Sequence, residues 1–165
     1  IVGNIPYYIT SEILFWLFDA REAVRDAILM MQLEVAQRLI AKPRTKEYGI
    51  LSVFSQFYSS PELLFQVSKN SFFPKPNVDS AVVRLNMVDR LPAHAERLFR
   101  NVVRSTFGKR RKTLYNGLRY MGLDEKELAG VPFDLTRRPE ELSVEEFFDL
   151  TRKLEPYEDG LSLKF

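Results

Sequence analysis

Cysteine is absent from the 165 residues of this chain, which excludes disulfide bonds, thiolate metal sites and cysteine nucleophiles. Histidine occurs once, at His94, leaving no histidine cluster for zinc and little basis for a Ser-His-Asp triad. No apolar run is long enough to span a bilayer, and no secretory leader pattern opens the chain. Together these absences set the expectation of an intracellular, cytoplasmic protein with no membrane and no metal partner. Net charge is only +2, so overall charge does not announce nucleic acid. No repeat, low-complexity tract or long linker breaks the sequence.

What is present is a hydrophobic content of 45%, enough for one good core, or one core with a small satellite. Nine Pro against seven Gly point to rigid connections between elements. The charges are unevenly placed. Arg104, Lys109, Arg110, Arg111 and Lys112 fall in a stretch without an acid, whereas residues 140–159 are rich in Asp and Glu. One face can therefore meet phosphates while another repels them.

Periodicity divides the chain near residue 90, into regions 1–90 and 91–165. In the first, Ile1-Val2-Gly3 reads as the end of a buried strand, and Thr10 or Ser11 can cap a helix with Ile13, Leu14, Leu17 and Phe18 on one face. Residues 27–31 read as a parallel strand covered on both faces, and 33–40 as a helix closed by Pro43. Residues 48–58 read as a helix or a helix-to-strand transition. Strands over 63–67 and 81–85 flank the turn Phe72-Phe73-Pro74-Lys75-Pro76. Strands alternating with helices predict an α/β sheet. The second region reads helical throughout, with stripes at Leu98, Val102, Val103 and at Leu114, Leu118, Met121. Ser143 and Glu146 make a capping box that Leu142 and Phe147 can staple.

The first residues carry the most specific chemistry. Asn4-Ile5-Pro6-Tyr7 follows an apolar run and precedes a helix start, so a carboxamide, a backbone carbonyl and an aromatic ring sit together at a strand mouth. Two acceptors and a ring suit a flat base bearing an amino group. An ordinary strand-to-helix turn would use the same residue types. Asn-Ile-Pro-Tyr resembles the Asn-Leu-Pro-Tyr box of the S-adenosylmethionine-dependent adenine-N6 methyltransferases. The segment Ser71-Phe72-Phe73-Pro74-Lys75-Pro76-Asn77-Val78-Asp79-Ser80-Ala81-Val82-Val83-Arg84-Leu85 resembles one branch of them, the ribosomal RNA adenine dimethyltransferases. Residues 31–39, 107–118 and 139–143 resemble further blocks of that family, in the family's order. The type resembled is the kasugamycin-sensitivity one, which methylates two neighbouring adenines near the 3′ end of small-subunit ribosomal RNA.

The resemblance implies a fold and a set of roles. The fold is α/β, the C-terminal part of a Rossmann-like methyltransferase sheet followed by a small all-helical RNA-binding domain over 91–165. Asn4, Ile5, Pro6 and Tyr7 would position the target amine, with Asn4 also near S-adenosylmethionine. Phe72 aligns with a second aromatic that faces Tyr7 across the flipped base; on chemistry alone Phe72 or Phe73 could serve. Lys109 to Lys112, with Arg104 a turn or two earlier, are candidates for the RNA backbone on a basic helix, or else a solvated helix end. Arg137 and Arg138 are weaker, because neighbouring acids can pair with them, and Arg84 reads as an ion-pair partner. No glycine-rich loop follows a strand, and no acid ends a second strand to hold a ribose. The expectation is thus a fragment without the cofactor-binding half, inactive alone, from a monomeric enzyme with a role in small-subunit assembly. A large-subunit methyltransferase of the macrolide-resistance type and a non-catalytic RNA-binding module are the alternatives.

Overall fold

The computed structural model describes residues 1–88, 93–109 and 111–161, with the side chains of 93, 94, 159 and 160 left aside. The expectation on Arg110 lies outside the described residues. The chain forms two compact units: the described residues of Ile1–Lys42 and Leu51–Arg90 make one, and those of Pro43–Ile50 and Leu91–Phe165 the other.

The first unit holds a four-stranded sheet in the order β1-β2-β4-β3, with β1 Val2–Asn4, β2 Asp26–Gln32, β3 Ser59–Val67 and β4 Ser80–Met87. β1 runs parallel to β2, while β4 is antiparallel to both β2 and β3. Three helices accompany it: α1 Thr10–Asp19, α2 Leu33–Leu39 and α3 Ile50–Tyr58. Alternation decides which way the sheet faces. Ala27, Leu29 and Met31 of β2 and Ala81, Val83 and Leu85 of β4 are buried, and α2 packs against β2, β3 and β4. Ile28 and Met30, between them, are only half-buried, so β2 is covered fully on one face rather than two. Arg84 on that more open face pairs with Asp26 at 3.1 Å, as an ion-pair partner should.

Local contacts settle the details of these elements. β1 is the outermost of these four strands beside β2, and its Val2 is 82% exposed. Thr10 does not cap α1; its hydroxyl donates to the carbonyls of Pro6 and Tyr7, tying the helix start to the preceding loop. α2 runs over Leu33–Leu39 with Ile40 as its C-cap, ahead of Pro43 as expected, and the Gln56 amide from α3 donates to the Leu39 and Ala41 carbonyls at 3.1 and 2.7 Å. β3 runs through Pro61, tolerable on an edge strand where no partner needs that N–H. Aromatic packing joins α1 to α3, with Phe18 stacked on Tyr58 at 5.5 Å and Phe15 edge-on to Phe54 at 5.7 Å. Truncating a buried side chain here, such as Leu14, costs about 2–5 kcal/mol.

The second unit is helical: α4 Ala93–Phe107, α5 Leu114–Arg119, α6 Glu125–Gly130 and α7 Val144–Leu154. Ser143 and Glu146 form the expected capping box, with Leu142 and Phe147 on either side of it both buried. Pro43–Ile50 joins this unit through Tyr48, which is buried and donates its hydroxyl to the Leu142 carbonyl at 2.7 Å. Its ring meets Phe107 edge-on, and Phe107 in turn meets Phe147. Burial pushes the Tyr48 phenol well above its ordinary pKa, with Glu145 and Glu146 adding to the effect. Periodicity alone cannot detect such a short visit to another core, since 43–50 contains no helical or strand repeat.

Candidate functional site

Four strand ends converge at one edge of the sheet. The register pairs Asn4 with Met30 and Gln32 with Ser80, and Ser80 with Val67, so β1 and β2 finish where β4 begins and β3 ends. Ligands of open sheets with parallel strands gather outside the carboxyl ends of those strands. Here that edge carries a cleft of about 310 Å³ lined by Asn4, Ile5, Pro6, Tyr7, Phe72, Pro74 and Pro76.

The loop that carries Asn4 is set by its own hydrogen bonds. The Ile5 N–H donates to the Met30 carbonyl at 3.0 Å, extending the β1 ladder by one residue, and the Ile5 side chain is buried. Among the described residues, the Asn4 carboxamide has no hydrogen-bond partner, and no loop or strand N–H donates to the Ile5 carbonyl. Pro6 then fixes the turn, and a single 3-10 turn over Tyr7–Ile9 leads into α1. Tyr7 is half-buried, and its hydroxyl lies 2.6 Å from that of Ser80, a buried residue at the start of β4.

The opposite wall comes from the β3–β4 connection. The Ser68 hydroxyl accepts from the Asn70 N–H, and the Asp79 carboxylate accepts from the Lys69 N–H at 2.9 Å. The Asp79 carbonyl also accepts from the Leu33 N–H at 3.0 Å, so the loop is anchored at both ends. Phe72 is half-buried and lines the cleft, whereas Phe73, before a cis peptide to Pro74, is fully exposed. Neither ring packs into the core. Ser80 and Asp79 carry no role in the sequence reading, although they sit inside the quoted motif; a serine opening a strand gives no sign of its partner 73 positions away.

In the second unit the basic residues lie elsewhere than expected. α4 ends at Phe107, with the Gly108 N–H on the Arg104 carbonyl and the Lys109 N–H on that of Thr106. Lys109, Arg111 and Lys112 are exposed in the turn that follows, not on a helix. Gly117 of α5 allows the two helices on either side of that turn to meet closely: a Cβ there would sit 2.7 Å from Thr106 Cα. Arg104 remains on α4, half-buried. Arg137 is committed to structure. Its guanidinium donates to both Glu146 carboxylate oxygens at 2.6 and 3.1 Å, and that contact holds Glu146 below the ordinary carboxylate range.

Among the described residues no helix is long and apolar enough to cross a membrane, and no group of three or more His, Asp or Glu is placed to hold a metal ion.

Residues 1–155 match the sequence profile described as ribosomal RNA adenine dimethylase. A ribosomal RNA small subunit methyltransferase A of Chlorobium phaeobacteroides is 47% identical over 96% of this chain and 60% of its own length. The protein of the same name from Clostridium botulinum is 42% identical over 92% of this chain and 57% of its own length. The chain thus spans about three-fifths of the curated relatives it matches. A crystal structure of a dimethyladenosine transferase from Plasmodium falciparum superposes with a TM-score of 0.79 over 97% of this chain and 67% of that one, a likeness of fold at 24% identity. That of the 23S rRNA methyltransferase ErmE gives 0.63 at 27% identity, over 93% of this chain and 64% of its own. With its profile matched over nearly the whole sequence, this chain belongs to the ribosomal RNA adenine dimethylase family.

Proposed function

We propose that this chain is the base-positioning and RNA-holding part of an S-adenosylmethionine-dependent enzyme that dimethylates the N6 amines of two adjacent adenines in small-subunit ribosomal RNA. The enzyme would act as a cytoplasmic monomer on the small subunit during its assembly. The observation that carries the reading is the cleft in which Asn4, Ile5, Pro6, Tyr7 and Phe72 meet. The curated relatives named for the small subunit, and the weaker structural likeness to ErmE, favour this over the large-subunit reading.

The exocyclic amine of adenine is a poor nucleophile because its lone pair is delocalised into the ring. Asn4 Oδ1 and the Ile5 carbonyl, both without a partner among the described residues, would accept hydrogen bonds from the amine. Two N–H groups would donate before the first methyl transfer and one before the second, with the proton that each methyl displaces leaving to solvent. Those contacts favour a pyramidal nitrogen and aim its lone pair away from the ring plane. They also stabilise the positive charge that grows on nitrogen, so catalysis here is positioning plus electrostatics without a covalent intermediate. Tyr7 and Phe72, one on each wall, would hold the base once it has left its stack. Lys109, Arg111, Lys112 and Arg104 would contact RNA phosphates, with Arg110 of the same run.

S-adenosylmethionine would supply an electrophilic methyl sulfonium at the Asn4 side of the cleft. The cleft lining contains no glycine-rich turn and no acidic strand-end side chain, so these residues do not make a complete cofactor site. Calorimetric titration of the cofactor tests the division. Binding is expected by a chimera in which the upstream part of the Chlorobium relative precedes Ile1, and not by the 165-residue chain. Binding by the short chain would place the cofactor shelf within it, and binding by neither would remove the methyltransferase reading.

A further inference from the structure

A second concave site lies on α5, in the helical unit, with a volume of about 270 Å³ and walls made by Asn116, Arg119 and Tyr120. These positions are three and four residues apart, so they share one face of the helix. Tyr120 is 63% exposed, so its ring is open to a ligand from solvent. Lys109, from the turn before α5, holds its ammonium 4.6 Å from the centre of that ring. A cation at this distance from an aromatic face is held by the ring quadrupole, so the Lys109 charge is stationed beside the groove instead of wandering in solvent. Arg119 is exposed, and among the described residues its guanidinium has no carboxylate or hydrogen-bond partner. The Asn116 Nδ2 donates to the Thr113 hydroxyl at 2.9 Å, which leaves Oδ1 as the acceptor.

Two unneutralised cations, an acceptor and an aromatic edge on one concave surface match a sugar-phosphate link. We propose that Lys109, Asn116, Arg119 and Tyr120 form a backbone subsite for a single-stranded RNA segment, separate from the target-base cleft. Lys109 and Arg119 take one phosphate between them. Tyr120 fixes the position of Lys109. Asn116 Oδ1 accepts from a ribose 2′-hydroxyl, the group that distinguishes RNA from DNA. The inference rests on the reading that this family member holds ribosomal RNA, and it adds to that reading a defined subsite with three residues outside the Lys109–Lys112 run.

The test is fluorescence anisotropy of the whole chain with a labelled uridine oligomer of about 12 nucleotides, a length suited to single-strand sites. Titrations run from about 50 to 200 mM salt, where each lost phosphate contact should lower the salt slope by about 0.7. Arg119→Ala and Tyr120→Ala are expected to weaken binding about fivefold, and Arg119→Ala combined with Lys109→Ala, which removes both cations from the shared phosphate, to lower the slope by that step. Tyr120→Phe keeps the ring and should bind as the parent does. Tyr120→Ala combined with Lys109→Ala should bind no worse than Lys109→Ala alone, because the ring acts through the ammonium. Asn116→Ala should narrow the preference for the uridine oligomer over its deoxy counterpart; an unchanged preference removes Asn116 from the site. The proposal is overturned if Arg119→Ala and Tyr120→Ala keep the parent's affinity and slope while Arg111→Ala with Lys112→Ala loses both. A folded parent that binds no RNA at all would instead overturn the functional reading itself.

Discussion

The Tyr7 phenol and the Ser80 hydroxyl share a 2.6 Å hydrogen bond that ties the target-base loop to the first residue of β4. Ser80 is fully buried, so its hydroxyl cannot exchange this partner for bulk water. Losing one member strands the other at a cost of about 1–3 kcal/mol, expressed here as a looser Tyr7 ring. Ser80→Ala and Tyr7→Phe are each expected to slow single-turnover methyl transfer about tenfold in the cofactor-binding chimera. The double variant should be no slower than either, whereas multiplied losses would show that the two hydroxyls act separately.

Asn4→Ala removes the side-chain acceptor from the cleft without touching the β1 ladder, which uses backbone groups alone. Methyl transfer should fall by at least about a hundredfold, the usual cost of losing one preorganised group at a site of developing charge. RNA affinity should be unchanged. A filter-binding assay beside the rate measurement separates the two effects, and a parallel fall in both would reassign Asn4 to RNA binding.

Acid should loosen the helical unit through Glu146. Its carboxylate accepts from Arg137, and its pKa in the folded state is lowered chiefly by that hydrogen bond. The unfolded chain then takes up the proton first as pH drops, so the contribution is complete above the ordinary glutamate value of about 4.3 and is lost as pH falls through the lowered one. Urea midpoints should decline across that window, and Glu146→Gln should flatten the decline. An identical decline in the variant would mean that another carboxylate is responsible.

Gly117 is required by the approach of α5 to α4, since an added Cβ would meet the Thr106 backbone at 2.7 Å. Gly117→Ala is therefore expected to destabilise the chain by about 1–3 kcal/mol in urea denaturation. Gly49→Ala is the control, because nothing lies within 4 Å of a Cβ built there. Equal effects from the two would show that glycine's backbone freedom, and not the contact, sets the cost.

What was legible in the sequence was local. The capping box at Ser143 and Glu146 needs only residues three apart, and the Asn-Ile-Pro-Tyr box stands next to the helix it precedes. The placement of Phe72 beside Tyr7 followed only from the family resemblance, because the fold that joins them runs through strand order β1-β2-β4-β3. Features set at long range stayed hidden. Lys109, Arg111 and Lys112 have good helix propensity, yet they lie in the turn between α4 and α5, two helices that meet closely at Thr106 and Gly117. Tyr48 has the composition of a helix start, yet its hydroxyl and ring belong to the core around Phe107 and Leu142.

The measurement that tests the central claim most directly is mass spectrometry of nucleosides from small-subunit ribosomal RNA incubated with the chimera and S-adenosylmethionine. The account predicts N6,N6-dimethyladenosine from the parent chimera and none from its Asn4→Ala variant. Dimethyladenosine at equal yield from both, or none from the parent chimera, would contradict it.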